Sequence, residues 1–150
     1  MLVAGIVVRI EHSVAESRVA SRSGETFMFQ AQSILIVEDE PFIGFELAEV
    51  VHRRGGHAIG PIPTVAEALA LLDNITVDAA ILDVQLLDRD ITPVVLQLIV
   101  MRTPIIIHTG TGLPEALRST GIALPVVTKP TAPEKIVDLL SAEMKKRPLG

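Results

Sequence analysis

From Ser33 onward the chain alternates short apolar runs with longer segments that repeat at helical spacing. "SILIVE" is a continuous apolar run of strand length. "PFIGFELAEVVHRRGG" follows as a helix, with Pro41 near its first position, glycine past its last turn, and Ile43, Leu47 and Val50/Val51 as the inner stripe. "HAIGPI" predicts a short second strand. "TVAEALALLDN" predicts a second helix opened by Thr64 and Glu67 as a capping box. "DAAILD" is a buried third strand ending on Asp83, and "TPVVLQLIVMR" a third helix with Thr92 as cap and Pro93 at its first position. The fourth strand, "TPIIIHTG", is followed by a short helix, "LPEALRS", and the fifth strand, "LPVVTKP", by the helix "TAPEKIVDLLSAEMKK". Thr131 and Glu134 read as a capping box for that last helix, and Lys145 and Lys146 suit the negative end of its dipole.

Five strands alternating with five helices predict an α/β fold, a doubly wound five-stranded parallel sheet. Right-handed crossovers leave few topologies, and the flavodoxin-like order 2-1-3-4-5 is the expected one. The first 32 residues differ: "EHSVAESRVASRSGE" is small and polar with weak periodicity, so residues 1–32 read as a poorly ordered extension and residues 33–147 as the domain. Met28, five residues before the regular pattern, is a candidate natural start, which intact mass of the natively expressed protein checks. The third helix is apolar nearly all round; deep burial explains that, and so does a partner or homodimer face, for which Val95 or Ile99 is the residue to charge.

Composition narrows the function. Apolar residues are 49% of the chain but aromatics only 3%, with no Trp or Tyr, so the core is aliphatic and little is available to stack on bases. Net charge is -5 and the only basic run is the C-terminal "KKR", which argues against nucleic acid. The absence of cysteine removes disulfides, thiol catalysis and thiolate metal sites. No apolar run approaches the roughly 18 residues of a membrane span, and "MLVAGIVV" lacks a basic leader region, so a cytoplasmic protein without membrane contact is expected.

An open parallel sheet binds ligands beyond the carboxyl ends of its strands. There the sequence delivers Glu38, Asp39 and Glu40 after strand one, Asp83 after strand three, His108 and Thr109 after strand four, and Thr128 and Lys129 after strand five. Strands one and three are neighbours in the expected order, so Asp39 and Asp83 meet, and two close carboxylates call for a proton or a cation. Mg²⁺ suits an all-oxygen site of this kind. Lys129 can pair with a phosphoryl oxygen and the Thr109 hydroxyl can donate to another, which together describe a phosphoryl site built on an aspartate. Glu40, directly before Pro41, reads as a turn and helix-start residue. "HTGTG" lacks the lysine of a phosphate-binding glycine loop, and His57 and His108 read as structural.

"LIVEDEP", "ILDVQL", "HTG" and "VTKP", with Asp39 and Asp83 44 positions apart, resemble a response-regulator receiver domain of the stand-alone bacterial type. The resemblance implies that Asp83 is the phosphate acceptor from a histidine kinase or phosphotransfer protein. It implies that Asp39, Asp83 and the Gln85 backbone carbonyl hold Mg²⁺, with Glu38 acting through water. It makes Thr109 the switch hydroxyl, Lys129 the phosphate-binding lysine, and Pro130 a cis proline. The chain departs from the family in three places. "DVQLLDRD" replaces the pattern DxxMPxxxG, so the loop is expected to sit differently, with Asp88 or Asp90 at its rim. Val126 occupies the switch-aromatic position, and Gly110 follows Thr109 where alanine is usual. These features are similar to receivers paired with HWE/HisKA2-type kinases. The implied function is signalling through contact with a downstream protein, not catalysis. The alternatives are an unphosphorylated pseudo-receiver and, since "Asp83-Val-Gln" lacks a DxD motif, less readily a Mg-dependent aspartate-nucleophile phosphohydrolase of the haloacid-dehalogenase type.

Overall fold

A computed structural model describes residues 27–146. Five strands, β1 (Ser33–Val37), β2 (His57–Ile62), β3 (Ala79–Asp83), β4 (Ile105–Thr109) and β5 (Val126–Thr128), form one sheet in the order β2-β1-β3-β4-β5. Every neighbouring pair is parallel. The five helices are α1 (Pro41–Arg53), α2 (Val65–Leu72), α3 (Thr92–Val100), α4 (Glu115–Arg118) and α5 (Pro133–Lys145). The strands alternate between two cores, as a pleat of period two requires. Ile34, Ile36, Ile81 and Ile106 pack with Leu47, Val51, Ile136 and Leu140 of α1 and α5. Leu35, Val37, Leu82 and Ile107 pack with Val65, Ala68, Val95 and Leu98 of α2 and α3. A sheet covered on both faces explains why its strands read as unbroken apolar runs.

Several local expectations need correction. Within residues 27–32, read as part of a loose extension, Phe29 is buried and the backbone is hydrogen-bonded to the end of α1, while Gln30 and Ala31 are exposed. Phe29 is 1% exposed, its amide donates to the Arg54 carbonyl at 3.1 Å, and Ala31 donates to the Gly55 carbonyl at 2.7 Å. Gly55 adopts φ +84° as the residue beyond the α1 C-cap, and a Cβ there would lie 2.4 Å from the Phe27 Cβ. The physical reason is that Phe29 joins Val50 and Val51 of α1 in the core on that side of the sheet. The expectation for residues 1–26, and for the end of the domain at 147, falls outside the described residues.

Thr92 does not cap α3. It lies inside the helix, and its amide donates instead to Asp90 Oδ1 at 2.8 Å. Nor does Thr131 cap α5, which begins after Ala132; the Thr131 hydroxyl donates to the Thr128 carbonyl at 2.6 Å. Thr64 does cap α2, accepting the Glu67 amide at 3.1 Å. In α3, Val95 is fully buried and Ile99 half-buried, so the outward apolar residues are Leu96 and Val100, four apart and therefore on one face. Among the described residues no helix is long and apolar enough to cross a membrane.

Truncation of a fully buried phenylalanine costs about 3–5 kcal/mol. Phe29→Ala is therefore expected to lower the urea midpoint of unfolding by a corresponding amount, whereas a residue in a loose tail would leave the midpoint where it is.

Candidate metal and phosphoryl site

The sheet register builds the site. Val37 pairs with Leu82 in the β1–β3 ladder, so the next residues, Glu38 and Asp83, emerge side by side at the carboxyl edge. The Glu38 amide remains tied to the sheet through the Ile62 carbonyl at 2.9 Å. The chain then turns at Asp39 and Glu40 into α1, whose Gly44 lies against β2. A Cβ on Gly44 would sit 2.4 Å from the Pro61 Cβ, so glycine lets α1 start this close to the strand ends.

Glu38 and Asp83 are buried and Asp39 is half-buried. Each offers a carboxylate oxygen, and these three atoms lie within 4.8 Å of one another. Lys129, reaching in from the end of β5, places its Nζ 3.1 Å from Glu38 Oε1 and 3.3 Å from Asp83 Oδ2. It also lies 3.6 Å from Glu40 Oε1. Glu40 makes no side-chain cap on α1. Glu40 stands at the N-cap position ahead of Pro41, as the helix-start reading expects, and its largely exposed carboxylate lies toward the lysine. Asp83 Oδ1 accepts the Val84 amide at 2.7 Å.

Thr109 is buried beside Asp83, at the end of the next strand. Its hydroxyl is engaged with its own loop, accepting the Thr111 amide at 3.1 Å and donating to the Gly112 carbonyl at 3.3 Å. Its carbonyl accepts the Lys129 amide at 2.9 Å, which ties the two strand ends together. The Lys129–Pro130 peptide is cis, and so is Gly60–Pro61. Val126 is 40% exposed and stands clear of the carboxylates on β5. Beside Lys129 a cleft of about 180 Å³ opens between α1 and α5, lined by Ile43, Leu47, His108, Lys129, Pro130 and Ile136. His108 is buried, and neither ring nitrogen has a hydrogen-bond partner among the described residues. Gln85 lies in the loop after β3, bridged to Asp90.

Asp88 and Asp90, expected at the rim of the loop, have their carboxylates engaged by backbone amides. Asp88 accepts the Val65 and Ala66 amides at 2.8 and 3.0 Å, and Asp90 accepts the Thr92 amide. Both acids serve helix starts, a role concealed in the sequence because the helix that Asp88 serves begins 23 residues earlier.

The electrostatics follow from crowding. Burial, and then hydrogen bonding to and charge on Asp83, push the Glu38 carboxyl up to about 8. Asp39 is raised by burial and by Asp83. Burial works against the charge on Lys129, but Glu38 and Asp83 outweigh it and hold the ammonium above its ordinary value. Burial and then the Lys129 charge lower His108. One lysine cannot balance the carboxylates gathered around it, so the cluster takes either a proton or a cation. An all-oxygen donor set, with one carboxyl that already prefers a proton, fits a hard divalent ion such as Mg²⁺.

Comparison with known proteins places this geometry. No protein-family model matches the chain, and no curated protein does. Among solved structures, SdrG from Sphingomonas melonis is 32% identical over 77% of this chain and 98% of its own, with a TM-score of 0.64. The response regulator PhyR from Brucella abortus is 30% identical with a TM-score of 0.65; the match covers 88% of this chain but spans only 56% of that PhyR. The receiver domain of a sensor histidine kinase from Pseudomonas aeruginosa, with a magnesium ion coordinated in its active site cleft, shares the fold at 19% identity, with a TM-score of 0.64 over 77% of this chain and 98% of its own.

Glu38 and His108 give the site a pH signature. Between about 4.5 and 8 the folded state holds a proton on Glu38 that the unfolded chain releases, so Glu38 makes stability fall as pH rises through that window. The lowered His108 acts oppositely, but its contribution is complete above its unfolded value of 6.5. In chelator, Tm is therefore expected to fall between pH 6.5 and 8, less so in Glu38→Gln. Mg²⁺ should stabilise more as pH rises, because it displaces the proton. Thermal melts across that range with EDTA and with Mg²⁺ check both signs.

Proposed function

The chain belongs to the response-regulator receiver family of two-component signalling, and on that premise we propose that Asp83 accepts a phosphoryl group from a phosphohistidine of a histidine kinase or phosphotransfer protein. The observation that carries this reading is the Lys129 ammonium, within 3.3 Å of carboxylates from two different strands at the sheet's ligand edge. In the proposed step an Asp83 carboxylate oxygen attacks phosphorus and the P–N bond breaks. The donor imidazole keeps the bonding pair and takes up a proton, and an acyl phosphate remains on Asp83. Asp39, Asp83 and the Gln85 carbonyl, with Glu38 through water, would hold Mg²⁺, which screens the carboxylates and the phosphoryl charge when bound. Lys129 is proposed to leave Glu38 and Glu40 for a phosphoryl oxygen, a charge-assisted bond that orients the group.

The added charge of about -1.5 to -2 also recruits the Thr109 hydroxyl. To reach it, Thr109 gives up Gly112 and Thr111, so the rearrangement runs into the segment between β4 and α4. Val126 has no ring to rotate, and output is proposed to pass through this segment to a downstream protein by contact. The chain is not proposed to be an enzyme beyond phosphorylating itself from small donors and losing the group again. A cytoplasmic setting accords with this role.

Acetyl phosphate with Mg²⁺ is expected to label the wild type and not Asp83→Asn, read on a phosphate-affinity gel. No labelling from acetyl phosphate or a cognate kinase would leave a pseudo-receiver, and continuous turnover of phosphate esters a hydrolase. Beryllofluoride, as a phosphoryl mimic, should shift backbone NMR signals from Thr109 to Arg118; unchanged signals there would remove the proposed output route.

A further inference from the structure

The loop between β3 and α3 is suspended at both ends, and the Asp88 side chain and the Leu87 amide make the outer attachment. At its root the Ile91 amide donates to the Val84 carbonyl at 2.9 Å and Gln85 is bridged to Asp90. At its tip the Leu86 amide closes the loop on the Arg89 carbonyl at 3.2 Å. The tip is then tied to the start of α2. Leu87 donates to the Pro63 carbonyl at 3.3 Å, and the two oxygens of Asp88 accept from Val65 and Ala66. Asp88 Oδ1 also accepts the Arg89 amide at 3.1 Å, which fixes the carboxylate in its own loop.

A helix start leaves its first N–H groups free. Thr64 takes the Glu67 amide locally, and Asp88 takes the two before it, from another part of the chain. The charge of Asp88 is favoured there by the helix dipole, and the amides that it accepts hold its carboxyl below the ordinary range despite some burial. The loop has no proline or glycine of its own to set its course: Leu87 and Ile91 stand where DxxMPxxxG has them. Gln85 sits at the root attachment, directly before the Leu86 that closes the tip.

We infer that Asp88 is a positioning residue for the metal and phosphoryl site, clamping the β3–α3 loop to the first turn of α2 and so setting where the Gln85 carbonyl points. This rests on the proposed reading of the Asp83 site. Loss of a side chain that orients a metal ligand commonly weakens metal binding 10- to 100-fold.

The chain has no Trp or Tyr, so Mg²⁺ binding is best read by calorimetry and by NMR titration of the Gln85 and Leu86 amides. Asp88→Ala should weaken Mg²⁺ binding about tenfold. Asp88→Asn, which keeps one acceptor oxygen, should weaken it less. Thr64→Ala removes the local cap of the same helix without touching the loop, and should keep wild-type affinity. Equal affinity in Asp88→Ala and wild type, or equal loss in Asp88→Ala and Thr64→Ala, overturns the inference. If Asp88→Ala does not fold, Asp88→Asn decides: wild-type affinity with displaced Val65 and Ala66 amide signals overturns it. A wild type that binds no Mg²⁺ overturns the site reading itself, whereas wild-type binding unaffected by Asp88 overturns only the clamp.

Discussion

Glu38 and Asp83 stand side by side because a parallel register makes them do so, and much of the carboxyl edge is arranged around that crowding. Once Ile36 pairs with Ile81 and Val37 with Leu82, the residues that follow have nowhere else to go. Moving either acid by one residue would turn its strand inside out, since alternate positions serve opposite cores. Buried carboxylates cost several kcal/mol each unless paired. Lys129 offsets part of that cost from the end of β5, held there by the bond between its amide and the Thr109 carbonyl. The remaining negative charge makes the edge receptive to protons and hard cations.

The polar groups of the loops serve a second purpose, closing helix ends. Asp90 holds the first amide of α3, Asp88 and Thr64 share α2, and Thr131 secures the turn before α5. Consequently the loops bearing Gln85 and Lys129 are anchored to the helical layers as well as to the sheet. Salt bridges from Arg53 to Glu134 and from Arg54 to Asp138 tie α1 to α5, on the face where Lys129 enters. They are solvent-facing and contribute little individually. The buried Leu47, Ile136 and Leu140 are the firmer connection.

The strands and their order were legible because a sheet buried on both faces writes itself as apolar runs, each ended by a polar residue or a turn. Asp39, Asp83, Thr109 and Lys129 were legible for the same reason: each breaks such a run at its carboxyl end. Caps were legible only when local. Thr64 followed the short-range rule, whereas Thr92 and Thr131 obeyed it in sequence but lost to Asp90 and to the Thr128 carbonyl. Asp88 could not be assigned from its neighbours, since its partners precede β3 in the chain. The place of Phe29 is not legible locally, because a phenylalanine in a polar stretch carries no period and its core partners lie in α1. Glu40 holds the N-cap position that its proline neighbour predicts, and its side chain also lies toward Lys129.

The departures at Val126 and Gly110 belong together physically. The Thr109 backbone is fixed by the sheet on one side and by Lys129 on the other, while its hydroxyl is committed to the two residues that follow. Under the proposed phosphorylation, a charge at Asp83 would compete for that hydroxyl by loosening the loop, because a shift of the strand would break the ladder. Gly112, at φ +84°, gives the loop a backbone conformation that a side chain would strain, although a Cβ there would meet nothing within 4 Å. Under that proposal the movement would run along the chain toward Leu113 and the short α4, whose Leu117 is buried in the α2/α3 core. An aromatic gate on β5 would send the same change across the sheet edge; with a half-exposed valine there, the loop is the route that the packing leaves open.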